Sequence, residues 1–401
     1  MTTHSFFNRG EKILIFTVRE IGMSRKLITE FPGIVPRLLL GMSLWLAAPL
    51  AFAEYGLNFQ KPVSSVAHEI LKLHNTILVV CFLIFVIVFS FMFYSIFAHR
   101  KSRGHKAAQF HENSTLEVIW TLIPFLILVC MAIPSTATLI DMSDTSKSDL
   151  TIKITGYQWK WNYDYLDQDL RFFSTLATPR EQIENKAAKG EHYLLEVDNP
   201  IVLPVGKKVR FLVTANDVIH AWWVPQLGVK QDAIPGFINE MWARIDEPGI
   251  YRGQCAELCG KDHGYMPIVV NAVSPEDFAK WVAMQKDKAA AESAGDTKAW
   301  SKDELMEKGK KVYASTCAAC HGAGGEGVGL FPKMAGNKIA NGPLAEHLGI
   351  VMNCKAGTAM QAFAAQLSDT DIAAVVTYER NGFGNKTGDA IQPSQVKALR
   401  K

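Results

Sequence analysis

The chain has 401 residues, 48% of them hydrophobic and 10% aromatic, with a formal net charge of +3. That length asks for two or three units rather than one domain, and so apolar a composition asks for membrane spans. A near-neutral balance without a long basic run interleaved with aromatics excludes nucleic-acid binding as the organising feature, and no dinucleotide or phosphate loop is present.

Ser24 to Ala53 reads as an export signal. Arg25, Lys26 and Arg37 form a basic front, Leu38 to Ala53 is apolar, and Ala51-Phe52-Ala53 has the small-x-small pattern of a cleavage site. Met23 directly precedes it, so residues 1–22 read as an over-long start, and 1–53 is expected as an extension plus cleaved signal peptide. The alternative is a retained membrane helix.

A transmembrane hairpin is expected over 54–148. Thr76 to Ala98 and Val118 to Ile140 contain no Asp, Glu, Lys or Arg, and each can cross a hydrocarbon core of ~30 Å as a helix. Pro124 and Pro134 are tolerated where neighbouring helices satisfy the freed carbonyls, which points to a larger protein beside the hairpin. The link between the spans carries His99, Arg100, Lys101, Arg103, His105 and Lys106. The far flank carries Asp141, Asp144 and Asp149 against Lys147. The positive-inside rule puts the link in the cytoplasm and everything after Asp141 in the periplasm of a bacterium, making a two-pass protein of the inner membrane.

Residues 149–273 change character. Short β-rich segments (Thr151–Thr155, Tyr193–Val197, Lys208–Thr214, Ile268–Ala272) alternate with turns such as Pro204-Val205-Gly206 and Glu247-Pro248-Gly249, and predict a β-sandwich or barrel. Within it lies Cys255-Ala-Glu-Leu-Cys259-Gly-Lys-Asp-His263-Gly-Tyr-Met266. One Cys with a His and a Met would suggest a mononuclear copper site, closed by an upstream His such as His220. Two thiolates can instead bridge two copper ions, each taking one His, with Met266 and the Glu257 carbonyl as weak axial ligands. The competing readings are a Cys255–Cys259 disulfide, a zinc site of two Cys and two His, and Met266 as plain core.

Residues 274–300, rich in Ala, Lys, Glu and Asp, read as a polar helical connector with a capped start at Ser274. Then comes Cys317-Ala-Ala-Cys320-His321, the attachment pattern of c-type haem, with His321 as proximal ligand. A thioredoxin-type pair is the alternative, but the flanks (Lys302–Ser315, Asp369–Arg380) look helical rather than βαβ. Met334 and Met352 read as core. Met360, in Gly357-Thr-Ala-Met360-Gln-Ala-Phe, resembles the distal loop of short bacterial cytochromes c, and a Met/His pair suits a high-potential haem. The haem domain is expected at 301–386, followed by a tail at 387–401. Cys354 stands where such cytochromes often have Gly and reads as an inert small residue.

Thr76 to Ala272 resembles subunit II of haem-copper cytochrome c oxidases. The resemblance rests on the hairpin, the Tyr157-Gln-Trp159-Lys-Trp161-Asn-Tyr stretch, His220 and the Cys-Ala-Glu-Leu-Cys-Gly loop. It implies a multidomain chain: a two-helix hairpin, an all-β cupredoxin domain and, at the end, an all-α cytochrome c domain. It also implies a dinuclear CuA centre on His220, Cys255, the Glu257 carbonyl, Cys259, His263 and Met266. The Glu257 carboxylate matches a magnesium position at the subunit I boundary. Trp159 matches the aromatic through which electrons enter, although Lys160 stands where the family often has a second aromatic. The bland reading makes Trp159 and Trp161 sandwich core, with one of the two buried. Glu117 matches the acid at a proton-path entrance and reads equally as a helix-dipole partner. The implied function is transfer of electrons from cytochrome c, through the chain's own haem and CuA, to subunit I. Oxygen would be reduced there with proton translocation, and subunit III would be a further partner. A copper-handling module would not need covalent haem, a nitrous-oxide-reductase-like chain would need a propeller domain, and quinol-oxidase relatives lack the copper cysteines.

Overall fold

The computed structural model describes residues 56, 58–106, 108–109 and 111–400. The expected signal peptide and extension lie outside the described residues. Phe59–Lys401 forms one unit.

Two long helices come first, α1 (Ser65–Ala98) and α2 (Ser114–Ser143), of 34 and 30 residues. At a rise of ~1.5 Å per residue both overrun a ~30 Å hydrocarbon core. They start earlier than the uncharged runs because helix-forming polar residues, such as His68, Glu69 and Lys72, extend α1 beyond its apolar stretch. Each begins at a side-chain cap: Ser64 accepts from the Ala67 amide and Asn113 from the Leu116 amide. Their apolar stretches are not covered by any described part of the chain. Both outer ends are tied to the β-domain. Ser64 Oγ donates to the Leu227 carbonyl at 2.6 Å, and Trp242 Nε1 donates to the Asp141 carbonyl at 3.1 Å.

The β-domain is a sandwich of two five-stranded sheets. One has β1 (Leu150–Tyr157), β2 (Lys160–Tyr165), β3 (Leu170–Ser174), β5 (Lys208–Ala215) and β8 (Asn239–Arg244), in the order β3-β2-β1-β5-β8. The other has β4 (Ile201–Pro204), β6 (His220–Val224), β7 (Val229–Ala233), β9 (Gly249–Cys255) and β10 (Pro267–Val273), in the order β4-β10-β9-β6-β7. Alternating inward side chains fill the space between them, with Trp161, Tyr163, Tyr165, Phe211 and Trp222 fully buried. Three of the expected strands lie inside β1, β5 and β10. Tyr193–Val197 is not a strand. Its β-favouring side chains are overruled by local turns: Leu194 sits at φ +62°, and the Leu195 amide donates to the His192 carbonyl at 2.9 Å. Only an isolated bridge, Leu176–Val197, remains.

The connector is helix α3 (Pro275–Gly295), capped by Ser274 as expected. It is fixed at both ends. Phe278 and Trp281 pack against Tyr165 and Phe172 of the sandwich, and Asp296 accepts from the amide and hydroxyl of Thr370 at 2.8 and 2.6 Å.

The last region is helical: α4 (Lys302–Val312), α5 (Leu344–Asn353) and α6 (Asp369–Asn381). Between α4 and a short helix at Ala318–His321 the backbone widens to a π-turn over Tyr313–Cys317. Such single-turn insertions recur at functional sites. The described part of the expected tail, residues 387–400, joins the same core: Ile391 and Val396 are buried against it. The few apolar residues of this stretch give no periodicity to read, yet Ile391 and Val396 pack into the core beside α6.

Helices α4 and α6 touch at Gly309, where an added Cβ would lie 2.0 Å from the Ala374 carbonyl oxygen. Helix propensity favours Ala by about 1 kcal/mol, but backbone cannot yield to such a clash. Gly309→Ala is therefore expected to destabilise the helical region by roughly 1–3 kcal/mol net. Thermal unfolding followed by circular dichroism checks this, and an unchanged or raised midpoint would contradict it.

Candidate metal and haem sites

The register of β6 with β9 builds the first site. Trp222 pairs with Cys255, and the Ala256 amide donates to the Ala221 carbonyl at 3.0 Å. His220, at the start of β6, thereby faces the loop leaving β9. His220, Cys255 and Cys259 are buried, with their ligand atoms all within 4.8 Å of one another. Cys255 Sγ lies 3.9 Å from His220 Nδ1 and 3.4 Å from the Glu257 carbonyl oxygen. Cys259 Sγ lies 3.4 Å from His263 Nδ1 and 3.5 Å from Met266 Sδ. Of the six expected ligands, His220, Cys255 and Cys259 form the mutually close group, and the Glu257 carbonyl, His263 and Met266 each lie beside one of its two sulfurs.

The two sulfurs stand 3.9 Å apart and both cysteines are free. A disulfide needs ~2.05 Å. A tetrahedral zinc site would use four donors and leave the Met266 thioether and the Glu257 carbonyl without a role. Two thiolates, two imidazoles, a thioether and a carbonyl form a soft donor set that suits copper.

Surrounding residues hold these groups in place. Asp217 Oδ1 is 2.9 Å from His220 Nε2. A carboxylate only accepts, so Nε2 carries the proton and Nδ1 is left free on the thiolate side. Gly156 lets the ring in, because a Cβ there would sit 2.7 Å from His220 Cδ2. Burial acts to lower the His220 pKa, but hydrogen bonds to Asp217 and Cys255 outweigh it and raise it. The hydrogen bond with Cys259 holds the Cys255 thiol well below the ordinary thiol range, against burial.

Trp159 is half-buried on the turn from β1 to β2. Its Nε1 donates to the Cys259 carbonyl at 3.1 Å, and Gln158 Nε2 donates to the same oxygen at 2.8 Å. Trp161 is the buried member of the pair, its ring edge-on to His220 at 5.9 Å. Lys160, despite its charge, is buried, with Nζ 4.5 Å from the Phe173 ring centre and 5.7 Å from that of Phe363 in the helical region.

In the helical region Cys317 and Cys320 are free, and His321 Nδ1 lies 2.7 Å from the Pro332 carbonyl. That carbonyl fixes the proton on Nδ1 and leaves Nε2 free to bind. Cys317 and Met360 pack against the same core, whereas Met334 and Met352 are buried within it. Two free thiols, a tautomer-fixed imidazole and a thioether fit a covalently attached haem. Burial pushes the Cys317 thiol up, and the nearby Glu379 acts the same way. Cys354 adopts φ +67° and ψ 175°, a positive-φ extended conformation that favours glycine.

Glu117 occupies the first turn of α2, its Oε1 3.4 Å from the Asn113 amide, which is the geometry of a dipole partner. Glu257 joins no second convergent cluster among the described residues, so this chain alone offers no magnesium site there. Sequence reasoning missed Asp217 and Gln361. An acid three residues before a ligand His is a readable signal for an orienting partner, whereas nothing in the sequence marks Gln361.

Comparison with known proteins follows the same divisions. Residues 53–138 match the family model for the transmembrane domain of cytochrome c oxidase subunit II, and residues 150–273 match that for its periplasmic domain. A probable cytochrome c oxidase subunit 2 from Rickettsia bellii is 42% identical over 236 residues, covering 59% of this chain and 86% of the relative. The chain belongs to the cytochrome c oxidase subunit II family. As subunit II it is part of a haem-copper oxidase complex and a membrane protein with a periplasmic domain. Cytochrome c oxidase subunit 2 of Cyanidium caldarium is 40% identical over 58% of this chain and 91% of its own length. A crystal structure of the periplasmic domain of subunit II of cytochrome oxidase of Bradyrhizobium japonicum shares 46% identity over 36% of this chain and 98% of that one, with a TM-score of 0.33. Residues 304–378 match the family model for subunit III of cbb3-type cytochrome c oxidase, which marks the helical region of this subunit II as a cytochrome c domain.

Burial lowers the Lys160 amine from 10.5 to about 8, and no ion pair involves it among the described residues. Because the native pKa lies below the unfolded one, the unfolded chain binds more protons between those values. The penalty is thus complete below pH 8 and fades as pH rises towards 10.5. Lys160→Met is expected to stabilise the chain by roughly 1–3 kcal/mol at pH 7, with the gain shrinking by pH 10. Paired thermal melts at the two pH values test the sign.

Proposed function

We propose that this subunit II is the electron-entry subunit of its oxidase, with a CuA centre held by His220, Cys255, the Glu257 carbonyl, Cys259, His263 and Met266. A c-type haem would be attached to Cys317 and Cys320, with His321 and Met360 holding its iron. When bound, these groups would relay single electrons from a cytochrome c donor towards the oxygen-reducing site of subunit I, in the inner membrane of a bacterium. The buried convergence of His220, Cys255 and Cys259 carries this reading.

The chain's own residues supply what such a relay requires. The sandwich core keeps water from the two sulfurs, since Cys255, Cys259 and Met266 are all buried in it. Asp217 and the Pro332 carbonyl each hold one imidazole in a single tautomer. Fixed ligands change little between redox states, and small rearrangement favours fast electron exchange. The half-buried Trp159 donates through Nε1 to the Cys259 carbonyl and offers an aromatic path to the sulfurs.

Metal and haem analysis of the purified full-length protein tests the reading. Two copper ions and one haem per chain are expected, together with the multi-line paramagnetic spectrum of a mixed-valence copper pair. Cys255→Ser should abolish that spectrum and leave the covalent haem attached. One zinc and no copper in the wild-type chain would overturn the proposal.

A further inference from the structure

Among the described residues, three hydrogen bonds join the sandwich directly to the cytochrome region, and Gln361 makes two of them. Its Nε2 donates to Asp217 Oδ2 at 3.0 Å and to the Gln158 carbonyl at 3.2 Å. The third runs from Lys261 Nζ to the Ala319 carbonyl, between Cys317 and Cys320, at 3.0 Å. Gln361 directly follows Met360. Asp217 is the same carboxylate that holds His220 Nε2 at 2.9 Å.

The geometry of Asp217 is closed. Oδ1 accepts from His220 and from the Val218 amide at 2.7 Å, and Oδ2 accepts from the Gln158 amide at 2.8 Å and from Gln361. Both protons of the Gln361 amide are used, one on a carboxylate and one on a carbonyl. The other end of the side chain is also held, since Oε1 accepts from Gln366 Nε2 at 3.3 Å. A neutral side chain with two donors fits this place. A carboxylate would face Asp217 with like charge, and Asn is one methylene too short.

We propose that Gln361 is a positioning residue, latching the loop that carries Met360 onto the carboxylate that orients His220. The inference rests on the assignment of those two residues as ligands. One side chain thereby sets the docking of the cytochrome region on the sandwich and fixes the separation and orientation of the two centres. Lys261 and the Lys160–Phe363 contact also join the two regions.

The test compares the full-length wild-type chain with Gln361→Ala and Gln361→Glu, neither of which alters a ligand. Three quantities are read: metal and haem content, the enhancement of haem electron-spin relaxation by the copper pair, and the rate of haem-to-copper electron transfer after a reducing flash. Loss of a hydrogen bond to a charged acceptor is expected to lower the docked population and the transfer rate about tenfold in Gln361→Ala, and further in Gln361→Glu, with weaker relaxation enhancement and unchanged metal and haem content. Raised salt should deepen the Ala defect by loosening the remaining Lys261 contact. The latch is overturned if both variants keep wild-type relaxation and rate. It is equally overturned if Gln361→Ala loses the methionine-ligated haem spectrum, because the side chain would then support the haem loop alone. A wild-type chain without copper would instead sink the underlying functional assignment.

Discussion

The antiparallel pairing of β6 with β9 is the constraint on which the candidate metal site depends. It places His220 opposite the loop that leaves Cys255, and it does so through backbone hydrogen bonds rather than through any attraction between the ligands. A slip of one residue would turn His220 away from the sulfurs and move Trp222 out of the core, where it is wholly buried. Core packing thus guards the register, and the register guards the ligand geometry. Gly156 on β1 of the facing sheet completes the arrangement by leaving room for the imidazole.

The helical region follows a parallel logic with different parts. The π-turn over Tyr313–Cys317 shifts the chain ahead of the attachment motif, and the Tyr313 hydroxyl ties back to the Gly322 carbonyl at 2.9 Å. The Pro332 carbonyl then fixes His321. In both sites one nitrogen of an imidazole is committed to an oxygen acceptor so that the other stays free. In both, the candidate sulfur ligands lie against an apolar core rather than in water.

Much of this was legible in the sequence because the chemistry is local. The Cys255–Met266 loop and the Cys317–His321 motif are contiguous, and the uncharged spans announce themselves by length. What escaped depends on contacts between distant residues. Tyr193–Val197 has strand-forming side chains but no partner strand, and a left-handed Leu194 breaks it. The apolar residues of 387–401 are too sparse to show a period. Lys160 looks like a surface charge until Phe173 and Phe363 close over it. Asp217 and Gln361 are ordinary polar residues in sequence and become informative only when the two regions meet.

The connector α3 changes what kind of encounter this is. Its aromatic residues grip the sandwich at one end and Asp296 binds Thr370 in the first turn of α6 at the other, so it behaves as a strut of ~31 Å and not as a slack tether. A partner joined to its docking surface through the same chain meets it intramolecularly, whatever the surrounding dilution. Contact between the two regions is therefore a unimolecular equilibrium. Its occupancy is set by the chain itself and not by how many cytochromes happen to be near.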